Sequence, residues 1–408
     1  MLVSDKLLIT ILGRPILPRP REGQASYRRI PYRFPDGTLT EPLPFLGAEL
    51  TKREDPDRLI VLGTSGSIWE EFFLESVISG EYDEDALSAI IDAAREKRVR
   101  QEQLKPLQTS LSLALGRPVD LLLISEGRTR KEQLDLLTAL ADHVGEGDQL
   151  VLDLTHGMRH LPVLLLLAAV YLRSIRNARI QSAYYGFYDP ETDEGIVFDL
   201  AGLLALVDWV TALHAFDKDG DPGVFAELLQ ADGASAKAVS ALRAASYHGK
   251  VLQHERAWTQ ERTLANELHG RPPDGVSGLF APHLESRLAD KTGSGPALRL
   301  SQMARRHLEH GNYDRAILLG LAAARASCQQ PGTRLKEVHQ KIMDGEVGDN
   351  EFVGAYNLLY AIRNCIAHPE EPQTNREANR AMQSEVDLRS RIESLFGILL
   401  KDKEHSNI

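Results

Sequence analysis

Cysteine is the scarcest residue of this 408-residue chain, which holds only Cys328 and Cys365. Two thiols exclude a disulfide scaffold and a cysteine-rich zinc module. A long apolar run is missing as well. The most apolar stretch, residues 161–172, is too short to span a bilayer and is bracketed by Arg159, His160 and Arg173, so it reads as a buried helix. The first residues, Met1 to Lys6, lack a basic segment followed by a signal-peptide core. These absences set the expectation of a cytoplasmic chain without a membrane partner. Positive charge is also in deficit: 47 Lys and Arg stand against 58 Asp and Glu, a net charge of −11. That excludes loose, field-driven binding to nucleic acid, so any contact with RNA or DNA has to come from a local basic patch. The remaining balance, 43% hydrophobic and 26% charged, is that of a soluble globular protein long enough for two or three domains.

Short β-rich runs at 6–12, 58–62, 119–124, 149–152 and 179–185 alternate with stretches of helical periodicity, notably 83–114, 130–144 and the apolar 161–172. That alternation predicts a parallel sheet covered on both faces, with ligands taken at the carboxyl ends of its strands. The Gly- and Ser/Thr-rich turns fall at those ends. From about Asp199 the strand signals stop, and Ala-, Leu-, Glu- and Arg-rich segments continue to Leu400. Helices are expected near 225–230, 234–268, 297–311, 314–328, 354–368 and 379–400, with polar breaks at 217–223 and 270–275. The fold class is α/β followed by α.

Three constellations carry candidate chemistry. Gly63-Thr64-Ser65-Gly66-Ser67-Ile68-Trp69 follows a strand; its glycines admit close backbone approach and its hydroxyls donate hydrogen bonds. It is neither a Walker A loop nor a dinucleotide fingerprint, and a plain helix cap is the alternative reading. Asp153-Leu154-Thr155-His156-Gly157-Met158-Arg159-His160 places polar side chains at a strand-to-helix junction with no evident packing role for Thr155, His156 or Arg159. His156 and His160 are four apart, but Gly157 stands where the metalloprotease glutamate would be, so ligand binding is preferred to metal. The third is Arg363-Asn364-Cys365-Ile366-Ala367-His368-Pro369. Pro369 should end a helix at His368, and Arg363 and His368 lie about 140° apart around it, on one broad edge. Arginine can brace a phosphate, histidine can move a proton, and Asn364 can orient either. A two-fold partner presenting the same edge would double these groups.

Taken together, these residues resemble a known family. Asp153-Leu154-Thr155-His156-Gly157 matches the DxTHG signature of CRISPR-associated proteins with an N-terminal CARF domain, and Leu62 to Trp69 is similar to their G-T-x-x-S-x-W landmark. Leu12-Gly13, followed by Tyr27, Tyr32, Arg33 and Phe34, resembles a first landmark, although Arg14 and the insertion Pro15 to Arg21 depart from it. Arg363-Asn364-x-x-Ala367-His368 resembles the RxxxxH motif of HEPN ribonucleases, and Gly311-Asn312-Tyr313-Asp314-Arg315-Ala316 an earlier HEPN helix junction. The resemblance implies a Rossmann-like CARF sensor over residues 1–200 and a helical linker with a HEPN ribonuclease domain over 201–408. It implies a type III CRISPR endoribonuclease that cuts single-stranded RNA without a metal or other cofactor when cyclic oligoadenylate binds. Slow cleavage of the activator in the sensor is a further candidate activity. Cyclic tetra-adenylate is favoured, because its two-fold symmetry suits a homodimer. The implied catalytic residues are Arg363, Asn364 and His368. The implied ligand-binding residues are Gly13, Arg14, Gly63, Thr64, Ser65, Gly66, Ser67, Asp153, Thr155, His156, Gly157 and Arg159. A ligand-controlled transcription regulator is the competing reading, but no clear helix-turn-helix or basic recognition helix is present.

Overall fold

A computed structural model describes residues 4–14, 28–70, 83–270, 275–288, 295–330, 332–370 and 374–401. Tyr27, the Pro15 to Arg21 insertion and the segment that follows Trp69-Glu70 lie outside the described residues. The chain divides into two compact units, Met1–Leu204 and Ala205–Ile408.

The first unit is built on a seven-stranded sheet of β1 (Lys6–Ile11), β2 (Tyr32–Arg33), β3 (Arg58–Gly63), β4 (Val119–Leu123), β5 (Gln149–Asp153), β6 (Arg179–Asp189) and β7 (Glu194–Asp199), ordered β2-β7-β6-β5-β1-β3-β4. β1 pairs in parallel with β3 on one side and β5 on the other. Its sequence is apolar almost throughout because both faces are covered. Leu8 joins one core with Leu59, Val61 and Val151, while Leu7, Ile9 and Ile11 join the opposite core with Ile60, Leu62, Leu150 and Leu152. The first core is closed by α1 (Leu46–Glu54), α2 (Glu84–Arg95) and α3 (Gln101–Leu115), the second by α4 (Arg130–Ala141) and α5 (His160–Arg176).

Three sequence expectations need correction here. The sheet is not wholly parallel, because β6 runs past residue 185 and turns back antiparallel into β7. The turn is set by the Asp189 carboxylate, which accepts from Glu191 N–H and the Thr192 hydroxyl, and by the positive φ of Asp193. The expected helix over 83–114 is two helices, broken where Lys97 adopts a φ of 57°. Helix α1 carried no strong sequence signal and was not expected.

The second unit is helical among its described residues: α6 (Ala201–Asp219, which begins in the first unit), a 3-10 turn (Pro222–Phe225), α7 (Ala226–Ala231), α8 (Ala236–Lys250), α9 (His254–Gly270), α10 (Val276–Leu288), α11 (Pro296–Glu309), α12 (Tyr313–Ser327), α13 (Leu335–Met343), α14 (Asn350–Ala367), α15 (Arg376–Ala381) and α16 (Glu385–Leu399). The runs expected as single helices over 234–268 and 379–400 are each broken in two. Leu252 takes a φ of 58° between α8 and α9, and the Ser384 hydroxyl caps α16 by accepting from Asp387 N–H. One core centres on Trp209, stacked against Phe225 at 5.6 Å and Phe280 at 5.1 Å. The other joins α11 to α16 around Tyr356, Leu359 and Phe396.

The α11–α12 junction is where the Gly311-Asn312 motif falls, and its role is local. Asn312 Nδ2 donates to the Lys218 carbonyl at 3.0 Å and Arg315 Nη1 to the Asp219 carbonyl at 3.1 Å, so the pair satisfies the carboxyl end of α6. His307 is buried beneath it at 3% exposure. Burial, with Arg315 and Arg306 nearby, pushes its pKa from 6.5 down to about 4. A histidine with a depressed folded pKa is protonated more readily in the unfolded chain. Its contribution is therefore neutral above about pH 6.5 and unfavourable as pH falls toward 4, on the order of 3 kcal/mol at the acid end. Thermal melts between pH 7 and pH 4 should show this acid loss, and His307→Gln should flatten it. An acid limb identical in the two proteins would contradict the assignment.

Candidate functional site

Chain order runs outward from β1 in both directions, to β3 and β4 on one side and to β5 and β6 on the other. Such a reversal opens a crevice at the carboxyl ends of the strands. Leu12-Gly13-Arg14, Gly63 to Ser67 and Asp153 to Arg159 all leave the sheet there, so the structure brings together the expected ligand-binding segments.

Within the Asp153 turn, most side chains face the protein. Asp153 is fully buried; its Oδ2 accepts from the Thr10 hydroxyl at 2.7 Å and its Oδ1 from Thr155 N–H at 3.0 Å. The Thr155 hydroxyl accepts from Gly186 N–H at 2.9 Å, tying the turn to β6. His156 Nε2 accepts from Leu46 N–H at 3.3 Å, the first residue of α1, whose N-cap residue Phe45 supplies no side-chain cap. The imidazole therefore carries its proton on Nδ1. Burial holds its pKa below the usual histidine value, opposed only in part by the Asp153 carboxylate. Gly157 has a φ of +96°, and a Cβ there would lie 2.8 Å from Ile11 Cγ2, so no other residue fits without strain. The expectation that Thr155 and His156 lack a packing role is thus corrected: both join the turn to neighbouring elements. Arg159 is different. It is exposed and makes no hydrogen bond or ion pair among the described residues. The amino end of α5, which follows it, has no side-chain cap.

The turn after β3 is locked in a similar way. The Ser67 hydroxyl accepts from Thr64 N–H at 2.8 Å and donates to the Leu12 carbonyl at 2.9 Å, and Ile68 N–H donates to the Gly13 carbonyl at 3.0 Å. Trp69 Nε1 donates to the Thr64 carbonyl, and its ring lies 2.5 Å from where a Cβ on Gly63 would be. Thr64 and Ser67, at 2% and 1% exposure, build the turn and stitch it to the end of β1. Ser65 remains half-exposed, with its hydroxyl uncommitted among the described residues.

Cations collect on this rim. Arg14 pairs with Glu126, which also pairs with Arg128, and the Arg14 Nε is buried with no partner among the described residues. Gly66 lies beneath Arg14 and Lys97: a Cβ on it would be 3.4 Å from Arg14 Nε and 3.1 Å from Lys97 Cγ. The rim thus carries Arg14, Lys97, Arg128 and Arg159, with Glu126 paired to two of them and Glu132 accepting from Arg128 N–H at 2.8 Å, and its cations suit phosphate oxygens. Sequence reading missed Lys97, Glu126 and Arg128. None sits in a motif, and only the sheet order brings them to this edge.

In the second unit, α14 ends at Ala367, with His368 as its exposed C-cap residue and Pro369 after it, where the sequence placed the stop. His368 N–H donates to the Asn364 carbonyl at 2.9 Å, and Arg363 Nη1 donates to Asn364 Oδ1 at 3.0 Å. Asn364 therefore steadies both the guanidinium and the chain at His368, while Cys365 points into the core. The three expected catalytic residues share one helix end. Among the described residues, no group of three or more His, Cys, Asp or Glu is placed to hold a metal ion, and no helix is long and apolar enough to cross a membrane.

Residues 7–190 match the family model described as CRISPR system endoribonuclease Csx1, CARF domain. The match covers most of the first unit, which is similar to the CARF domain of that family. The chain is 25% identical over 225 residues to CRISPR-associated protein MJ1674 of Methanocaldococcus jannaschii, a match covering 50% of this chain and 35% of that protein. Among solved structures it is similar to Enterococcus italicus Csm6 bound to cyclic hexa-2′-fluoro-hexa-dAMP, at 12% identity and a TM-score of 0.38 over 97% of this chain and 95% of that one.

Proposed function

We propose that this protein is an endoribonuclease that cuts single-stranded RNA when a cyclic oligoadenylate occupies the crevice of its CARF domain. The observation that carries the nuclease reading is the Arg363, Asn364 and His368 group at the exposed end of α14. Arg363 would hold the scissile phosphate and stabilise charge on it. His368 would move a proton as the neighbouring ribose 2′-hydroxyl attacks phosphorus and the P–O5′ bond breaks. The 2′-hydroxyl proton is lost and the departing 5′-oxygen gains one, which leaves a 2′,3′-cyclic phosphate on one fragment and a 5′-hydroxyl on the other. These residues supply charge stabilisation and proton transfer without a metal ion.

The sensor reading rests on the cationic rim and the uncapped amino end of α5, both suited to the phosphates of a cyclic nucleotide. The active species is a homodimer. Val163, Leu167, Tyr171 and Ile175 recur every four residues on α5 and are 56%, 56%, 42% and 43% exposed, an apolar stripe that a second copy can cover. A dimer sets two rims about one dyad, which matches the symmetry of cyclic tetra-adenylate.

Titrating purified protein with cyclic tri-, tetra- and hexa-adenylate while following labelled single-stranded RNA tests this reading. RNA fragments should appear only with one ring, EDTA should leave them unchanged, and cyclic tetra-adenylate should act at the lowest concentration. Following the activator in the same reactions would reveal its slow cleavage by the sensor. A ligand-dependent shift of duplex DNA without RNA cleavage would instead identify a transcription regulator.

A further inference from the structure

Upstream of Arg363, α14 carries a polar cluster that the proposed reaction leaves unused. Tyr356, Tyr360 and Arg363 are spaced i, i+4, i+7 and share one stripe about 10 Å long. Asn357 and Asn364, also seven apart, lie on the adjoining stripe that leads to His368. Two neighbouring helices add to this face. His339 of α13 stands with its ring centroid 5.0 Å from that of Tyr360, tilted by 43°, and its Nδ1 lies 2.7 Å from the Tyr356 hydroxyl. The Arg325 guanidinium of α12 lies beside the same hydroxyl. Among the described residues, Arg325 Nε and Asn357 Oδ1 are both buried without a hydrogen-bond partner. Unpartnered polar atoms are costly in a packed helical core, and two of them in one cluster beside a candidate cleavage site call for a function.

We propose that Arg325, His339, Asn357 and Tyr360 form a nucleotide subsite that positions single-stranded RNA for cleavage at Arg363 and His368. The inference rests on the nuclease reading above and adds the place where the substrate is gripped. Single-stranded RNA is held by aromatic faces that stack on bases, by guanidinium groups and by side-chain amides. All four residues are partly exposed, so a base can reach the Tyr360 and His339 rings from solvent. Burial and the nearby Arg325 lower the pKa of His339 and keep its ring neutral, which suits stacking. Arg325 supplies a phosphate contact in a protein whose net charge of −11 provides no general attraction for RNA. A small side-chain shift on binding would let the ligand pair Arg325 Nε and Asn357 Oδ1.

The test compares wild type with Tyr360→Leu, Arg325→Met and Tyr360→Phe at saturating activator. It reads KM and kcat on RNA, and the Kd of an uncleavable 2′-deoxy-substituted oligonucleotide. Tyr360→Leu and Arg325→Met should raise both KM and Kd roughly tenfold with kcat largely kept. They should also redistribute the cleavage positions, while Tyr360→Phe should bind as wild type. Unchanged KM and Kd in variants that melt as wild type would overturn the subsite, and so would a fall in melting temperature and kcat without a change in Kd. If wild type cuts no RNA with any ring, the nuclease reading fails, while the Kd comparison still decides the subsite.

Discussion

Arg363→Ala or His368→Ala is expected to reduce activator-dependent RNA cleavage by about a hundredfold or more, the usual cost of losing a charge stabiliser or a proton-transfer group. Neither change should alter folding. His368 is exposed beyond the last turn of α14, and Arg363 is bonded through its side chain only to Asn364 among the described residues. Affinity for the proposed activator should also stay as in wild type, because both substitutions lie in the second unit. Asn364→Ala should cost less than either, since its side chain acts only by steadying Arg363, while the backbone carbonyl that accepts from His368 N–H is kept. The measurement is single-turnover cleavage with the activator in excess, alongside calorimetric titration of the activator. Persisting cleavage in the Arg363→Ala, His368→Ala double variant, or its loss from wild type on adding EDTA, would place the active centre elsewhere.

The second large effect is expected at the sensor. Arg159→Ala removes an exposed guanidinium that makes no intramolecular bond among the described residues, so the melting temperature should not move. A charge-assisted hydrogen bond to phosphate contributes about 1.5–3 kcal/mol, so the dose response to cyclic oligoadenylate should shift right by about tenfold to a hundredfold, and further in a dimer that loses two contacts. Cleavage without activator at high enzyme concentration should survive, because an activator shifts the nuclease only by its differential affinity for two states. Thr155→Ala and His156→Ala should behave differently. The first leaves Gly186 N–H without its acceptor and the second does the same to Leu46 N–H, so both should lower the melting temperature as well as activation. A wild-type dose response in Arg159→Ala would remove this residue from the site.

Strands β1, β3 and β5 were legible because they are short apolar runs that end in glycine- and hydroxyl-rich turns, and the buried sheet demands that pattern on both faces. The two-residue β2 and the half-exposed β7 carry no such run and were not expected. The stop of α14 was legible because Pro369 dictates it. The β6–β7 hairpin was not, since its turn depends on Asp189 and on a left-handed Asp193 rather than on a glycine. Nor were the breaks at Lys97 and Leu252, where ordinary helix formers take a positive φ. The motif residues were found as residue types, but their directions were hidden. Whether His156 faces a ligand or caps α1 depends on where α1 packs, and no local pattern records that. Arg14, Lys97 and Arg128 come from three separate loops, and only the strand order gathers them.

The inward-facing Asp153, Thr155 and His156 have a consequence for how such a sensor can diversify. Their hydrogen bonds go to Thr10, Gly186 and Leu46, so the signature they spell specifies the architecture of a loop rather than the identity of a messenger. If the crevice binds a cyclic oligoadenylate as proposed, selectivity for one ring size over another would then reside in the rim, at Arg14, Lys97 and Arg159. On that proposed reading, exchanging those three residues would change the preferred ring while leaving the signature untouched.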